Sequence, residues 1–180
     1  MGAEIQQHDH NTESRWYALT VAPNHERSGA LNLRTKGYED FVPMYCSRRR
    51  WSDRVKVLDL PLFAGYVFCR FDLKQRFSVL STPGIRSVVS MGKSAAPIAD
   101  SEILALQQIV NSGVGAEPYS FLEVGLAVRL LDGPLCGLEG ILTELKGRQR
   151  LVVSINLLSR SVSVEVDASW VTPMCLGIGA

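Results

Sequence analysis

Leu60-Pro61-Leu62-Phe63-Ala64-Gly65-Tyr66-Val67-Phe68 is the stretch on which the reading of this chain turns. A proline and a glycine bracket two large aromatics where a loop enters an apolar run. Gly65 allows close backbone approach, and the strand can then project Phe63 and Tyr66 together. Locally the two rings are compatible with core packing or with a shared surface patch. The flanking sequence has to decide which.

Upstream, Trp16-Tyr17-Ala18-Leu19-Thr20-Val21 is aromatic and β-prone and stops before Pro23, so a first strand is expected there. Asn24 is the expected N-cap of a helix that reaches Lys36, with Gly37 as its stop. Phe41 and Val42 mark a second strand over residues 39–45. Val55, Val57 and Leu60 alternate with polar residues and mark another. Arg48-Arg49-Arg50-Trp51-Ser52-Asp53-Arg54, between them, has the polarity and length of a hairpin tip. Downstream, residues 66–71 read as a central strand, 74–80 as a short helix and 85–91 as a strand. Asp100 or Ser101 is the expected cap of a helix whose Ile103, Leu104, Leu106, Ile109 and Val110 recur at spacings of three and four. Strand, helix, several strands and helix make an α+β unit.

After residue 110 the character changes. Two glycines and a proline over residues 111–120 suggest a linker. Short β-rich runs at 124–131, 140–144, 151–155 and 161–166 follow, broken by Gly133-Pro134 and Gly147, which suits a small β-barrel. The expected organisation is a disordered leader at 1–14, an α+β domain at 15–112, a linker at 113–122, a barrel at 123–173 and a tail at 174–180.

Composition excludes several functions. The chain has 180 residues, 46% hydrophobic and 21% charged, with a net charge of +1. It has no run of about 18 apolar residues, so no membrane span is expected, and its polar start has no secretory core. The cytoplasm is the expected compartment. Up to residue 112 there are 14 Lys/Arg against 11 Asp/Glu, and beyond it 5 against 7. Any nucleic-acid affinity must therefore come from a local cluster. Cys46, Cys69, Cys136 and Cys175 form no C-x-x-C pair, and His25 is the one histidine outside the leader. No metal site, disulfide framework or cofactor is expected. Nucleotide-binding and hydrolase motifs are lacking, so an enzyme is not expected.

The 60–68 stretch resembles the PLFPGYVF signature of the NusG amino-terminal (NGN) domain, with Ala64 where that family usually has proline. Trp16-Tyr17, the segment containing Glu26, Phe41-Val42-Pro43 and Thr82-Pro83-Gly84-Ile85 fall in the family's order. Val124-Gly125, Val128-Arg129, Asp132-Gly133-Pro134-Leu135, Gly137, Gly140 and Val152 resemble a KOW motif, with its turn at Gly133 and Pro134 and chain re-entry at Gly140. Together the resemblances span about residues 15–173. They imply an NGN-type antiparallel sheet flanked by helices and a small SH3-like KOW barrel.

The resemblance also implies a function: a non-enzymatic elongation or antitermination factor. Phe63 and Tyr66 would be its anchors on the clamp helices of the largest subunit of bacterial RNA polymerase. Residues 48–53, His25-Glu26-Arg27 and Lys36-Gly37-Tyr38-Glu39 are similar to the specialised UpxY-like branch, which implies operon-specific action rather than the housekeeping role. Arg48, Arg49, Arg50 and Arg54, with Trp51 for base stacking, are candidates for displaced non-template DNA, with the polymerase's facing lobe as another target of Arg48, Arg49 and Arg50 and a solvated hairpin tip as the plain alternative. His25 and Arg27 are further candidates, although Pro83 stands where one specialised relative carries arginine. The KOW domain would recruit the helicase Rho or a ribosomal protein. Asn156-Leu157-Leu158 replaces a family aromatic there, which weakens that expectation. Two other classes remain: a free-standing RNA- or ribosome-binding module, and a scaffold that touches no nucleic acid.

Overall fold

The computed structural model describes residues 14–50, 55–119, 125–145, 148–155 and 158–174. Most of the expected leader, the tip residues Trp51 and Arg54, and nearly all of the expected tail lie outside them. The architecture is α+β, as expected. The first sheet runs β2 (Glu39–Phe41), β5 (Tyr66–Phe71), β1 (Arg15–Val21), β6 (Ile85–Val88), with β9 (Pro97–Ile98) also paired to β1. Every pairing in it is antiparallel, and the central register sets Thr20 opposite Tyr66 and Trp16 opposite Arg70.

Both faces of this sheet are covered, which explains why β1 is a continuous apolar run rather than an alternating one. Tyr17, Leu19 and Val21 of β1 and Val67, Cys69 and Phe71 of β5 share one cluster with Ala30 and Leu33 of α1 (Glu26–Thr35) and Val79 of α2 (Arg76–Leu80). Trp16, Ala18 and Phe68 belong to a second cluster with Ile103, Leu106 and Ile109 of α3 (Asp100–Asn111). That second cluster continues into the C-terminal β-domain through Val128, Leu130, Leu151 and Val164.

The C-terminal sheet has the order β10 (Ala116–Tyr119), β14 (Arg160–Glu165), β13 (Arg148–Ile155), β12 (Glu139–Leu145), β11 (Leu126–Leu130), β15 (Val171–Pro173), all antiparallel. Gly140 is required by a close approach: a Cβ there would lie 2.6 Å from the Val152 carbonyl oxygen. Part of the segment expected to be a linker is a strand instead. Ala116 faces Val164 and Glu117 faces Ser163, because this stretch supplies backbone groups to the open edge of β14. Only residues 112–115 separate α3 from that strand.

Four local expectations change. The helix begins at Glu26 with His25 as its N-cap, while Asn24 sits in the preceding turn at φ 62, a conformation Asn tolerates. The single strand expected over 39–45 is interrupted at Val42-Pro43, since proline cannot donate to a ladder. The chain then leaves the sheet as β3 (Met44–Arg50), which among the described residues pairs with β4 (Val55–Pro61) alone. The expected strand at 85–91 likewise divides into β6 and a small hairpin of β7 (Ser90–Met91) with β8 (Ser94–Ala95). Finally, Ala99, not Asp100 or Ser101, is the N-cap of α3.

Candidate functional site

Residues Phe63 to Tyr66 form a turn. The Tyr66 amide donates to the Phe63 carbonyl at 3.1 Å, and Gly65 takes φ 85 at the third position, where a side chain would be strained. Two neighbours hold Gly65. Its carbonyl accepts the Val21 amide at 3.0 Å, and its own amide donates to Glu26 Oε1 at 2.8 Å. Leu62 is tied to the start of the ribbon, its amide donating to the Pro43 carbonyl at 2.9 Å.

The two rings have different fates. Phe63 is 1% exposed and meets Phe68 edge-on, with centroids 5.5 Å apart and planes at 79°. Tyr66 is half-buried, and the Arg160 guanidinium of β14 lies 5.3 Å from its ring centroid. The exposed pair expected of an anchor patch is therefore one buried ring and one partly open one. The reason is tertiary: the same hydrophobic cluster holds Phe63, Tyr66 and the inward residues of the β-domain. A hydrogen bond from Gln108 Nε2 on α3 to the Cys136 carbonyl, at 2.9 Å, ties the domains elsewhere along the same contact.

The basic segment is also displaced from its expected place. Arg48, Arg49 and Arg50 are not at a hairpin tip but within β3, registered with Val57, Lys56 and Val55. Strand pairing simply runs further toward the turn than polarity alone indicates. His25 is exposed, with Nδ1 2.9 Å from the Pro23 carbonyl oxygen. Arg27 pairs with Asp59 of β4 at 3.4 Å, both side chains mostly exposed. The first turn of α1 thus reaches two sites at once: Glu26 grips the aromatic turn, and Arg27 touches the base of the ribbon.

In the β-domain, Gly133, Pro134 and Gly137 occupy the turn between β11 and β12, where the Gly137 amide donates to the Leu130 carbonyl at 2.8 Å. Arg129 and Glu139 pair across those strands. Sequence reasoning missed the roles of Glu26, Arg160 and Gln108. A glutamate at a helix start reads as an ordinary favourable helix-dipole residue, and nothing in the local sequence of the other two marks a domain contact.

Among the described residues no group of three or more His, Cys, Asp or Glu could hold a metal ion, and no helix is long and apolar enough to cross a membrane. Cys69 is buried, and desolvation, reinforced by the nearby Asp40 and Glu39 charges, pushes its thiol up to about 12.

Comparison with known proteins covers both domains. The sequence profile of the family described as transcription termination factor nusG matches residues 14–107, just over half of the chain. The transcription termination/antitermination protein NusG of Pseudomonas aeruginosa is 29% identical over 138 residues, covering 74% of this chain and 75% of its own. The protein of the same name from Escherichia coli (strain K12) is 29% identical over 179 residues, covering 88% of this chain and 96% of its own. A solved structure described as domain interaction in Thermotoga maritima NusG superposes with a TM-score of 0.54 at 21% identity. It covers 90% of this chain and 98% of that one, and so supports the fold across both domains.

Proposed function

The chain belongs to the NusG family of transcription termination and antitermination factors, and from that membership we propose that it rides on bacterial RNA polymerase. In this reading the Phe63/Tyr66 face docks on the clamp helices of the largest subunit. One observation carries the proposal: within the family-matched stretch, the turn bearing Tyr66 is pinned on both sides and presents a half-open ring beside a buried aromatic. Aromatic anchors commonly dominate helical-groove interfaces, and burying them yields about 25 cal/mol per Å² of apolar area. A factor bound there favours the closed clamp over the opened, paused state. That shift requires only unequal affinity for the two conformations, and no bond chemistry.

The β3–β4 ribbon then lies toward nucleic acid. Arg48, Arg49, Arg50 and Arg54 would contact phosphates of the displaced non-template strand, Trp51 would stack on a base, and His25 and Arg27 would approach from α1. Phosphate contacts position a protein, and base contacts specify a site. The likeness of residues 48–53 to the UpxY-like branch favours an operon-specific antiterminator over a general factor. The KOW-like domain, with Gly133, Pro134 and Gly137 shaping its turn and Gly140 allowing the close approach of β12 to β13, is the part that would meet Rho or a ribosomal protein.

Docking on Tyr66 would displace Arg160, whose guanidinium lies over that ring. The test is retention of core polymerase by the full chain and by Tyr66→Ala, with upstream DNA crosslinking read in parallel for a 48–50 triple-alanine variant. Loss of retention with Tyr66→Ala is expected, and unchanged retention removes the docking face. The burial of Phe63 favours one competing reading, an RNA- or ribosome-binding module. Cosedimentation with ribosomes that does not depend on Tyr66, without polymerase binding, is the outcome that would support it.

A further inference from the structure

Glu26 is a buried charged residue, at 8% exposure. A buried carboxylate is costly unless its charge is met by hydrogen bonds or by a favourable dipole. Glu26 has both. It is the first residue of α1, where free backbone amides and the helix dipole favour negative charge. Its Oε1 also accepts the Gly65 amide at 2.8 Å, 39 residues away in sequence. His25, the N-cap, makes no side-chain capping bond, so helix capping alone does not explain how the helix start is used.

The recipient of that bond matters more than its strength. Gly65 is the one residue of the turn at positive φ, and its two backbone groups are fixed from opposite sides by Val21 and Glu26. Phe63 and Tyr66 occupy the first and last positions of that same turn. If Gly65 rotates, their separation changes. We propose that Glu26 is a positioning residue for polymerase docking, its carboxylate holding the Gly65 turn in the geometry that presents Tyr66 beside Phe63. The inference rests on the docking reading above. It adds a buried residue on another element that never touches the partner.

The experiment uses the full chain with Glu26→Asp, Glu26→Gln and, alongside them, Tyr66→Ala. Aspartate keeps the charge at the helix start but is one methylene too short to reach Gly65, whereas glutamine keeps the reach and an acceptor oxygen. Each variant is measured for core-polymerase retention, for the exchange rate of the Gly65 amide by NMR and for its unfolding midpoint.

Glu26→Asp is expected to speed Gly65 exchange and lower retention, each by about tenfold, the scale of a hydrogen bond to a charged group. Glu26→Gln, whose neutral acceptor bonds about half as strongly, is expected to fall by no more than about threefold on both, the partial rescue that a merely structural charge would not give. Wild-type retention by Glu26→Asp despite fast Gly65 exchange overturns the inference, as does lost retention in Glu26→Gln with Gly65 still protected. If Glu26→Asp does not fold, the glutamine variant decides alone on those terms. Tyr66→Ala separates the two failures. Its full retention sinks the docking reading itself, while its loss alongside a normal Glu26→Asp sinks only the role of Glu26.

Discussion

Phe63 and Tyr66 sit three positions apart and yet call for different experiments. Truncating a fully buried phenylalanine costs about 3–5 kcal/mol, so Phe63→Ala confounds binding with unfolding. Tyr66→Ala removes a half-buried ring and is expected to lower the unfolding midpoint less than Phe63→Ala while polymerase retention falls, so the single tyrosine variant is the cleaner probe. Cys69 offers a second test at this scale. Its folded thiol titrates near 12 against an ordinary 9.0, because burial opposes the thiolate. Below pH 9 both states hold the proton and this contribution to stability is fully present. Between pH 9 and about 12 only the unfolded state releases it, so stability falls by up to about 1.4 kcal/mol per pH unit. Denaturant titrations at pH 8 and pH 10.5, compared with Cys69→Ala, check this: the loss on raising pH should shrink in the variant. A thiol reagent at pH 8 should label the exposed Cys46 and Cys136 well before Cys69.

Elements settle how those residues are offered. At the turn before β5, β14 brings Arg160 over Tyr66, and α3 reaches across to the β-domain through Gln108. A cation over an exposed aromatic ring contributes about 0.5–1 kcal/mol, which is about two- to fivefold in the closed-to-open ratio. Arg160→Ala should therefore raise polymerase retention by about that factor. A decrease would mean that Arg160 helps the partner bind rather than covering its site. Within the β-domain, β12 and β13 approach so closely at Gly140 that a methyl group meets the Val152 carbonyl. Gly140→Ala should destabilise that sheet by about 1–3 kcal/mol, read as an earlier urea midpoint. The β3–β4 ribbon shows the limit of polarity as a guide. Its arginines looked like a tip because they are charged, but cross-strand pairing with residues 55–57 takes in all three, ending at Arg50 opposite Val55.

For the molecule as a whole, one hydrophobic cluster reaches from the first sheet through α3 into the second domain, across a connection of only residues 112–115. Methyl signals of Ile103 and Val164 should therefore disappear at the same urea concentration. Separate midpoints would show that the domains are thermodynamically independent. The α+β class, the succession of two domains, and most strands and helices could be read from the chain itself, because apolar periodicity, proline and glycine act over a few residues. The family was equally legible, carried by an ordered set of short motifs from residue 16 to residue 152. What lay beyond local reading were contacts between distant residues: Glu26 with Gly65, Arg160 with Tyr66, and the burial of Phe63. Local preference decides which segments become strands or helices. Whether a ring faces water or a neighbour depends on what the rest of the chain packs against it, and only the tertiary structure decides that.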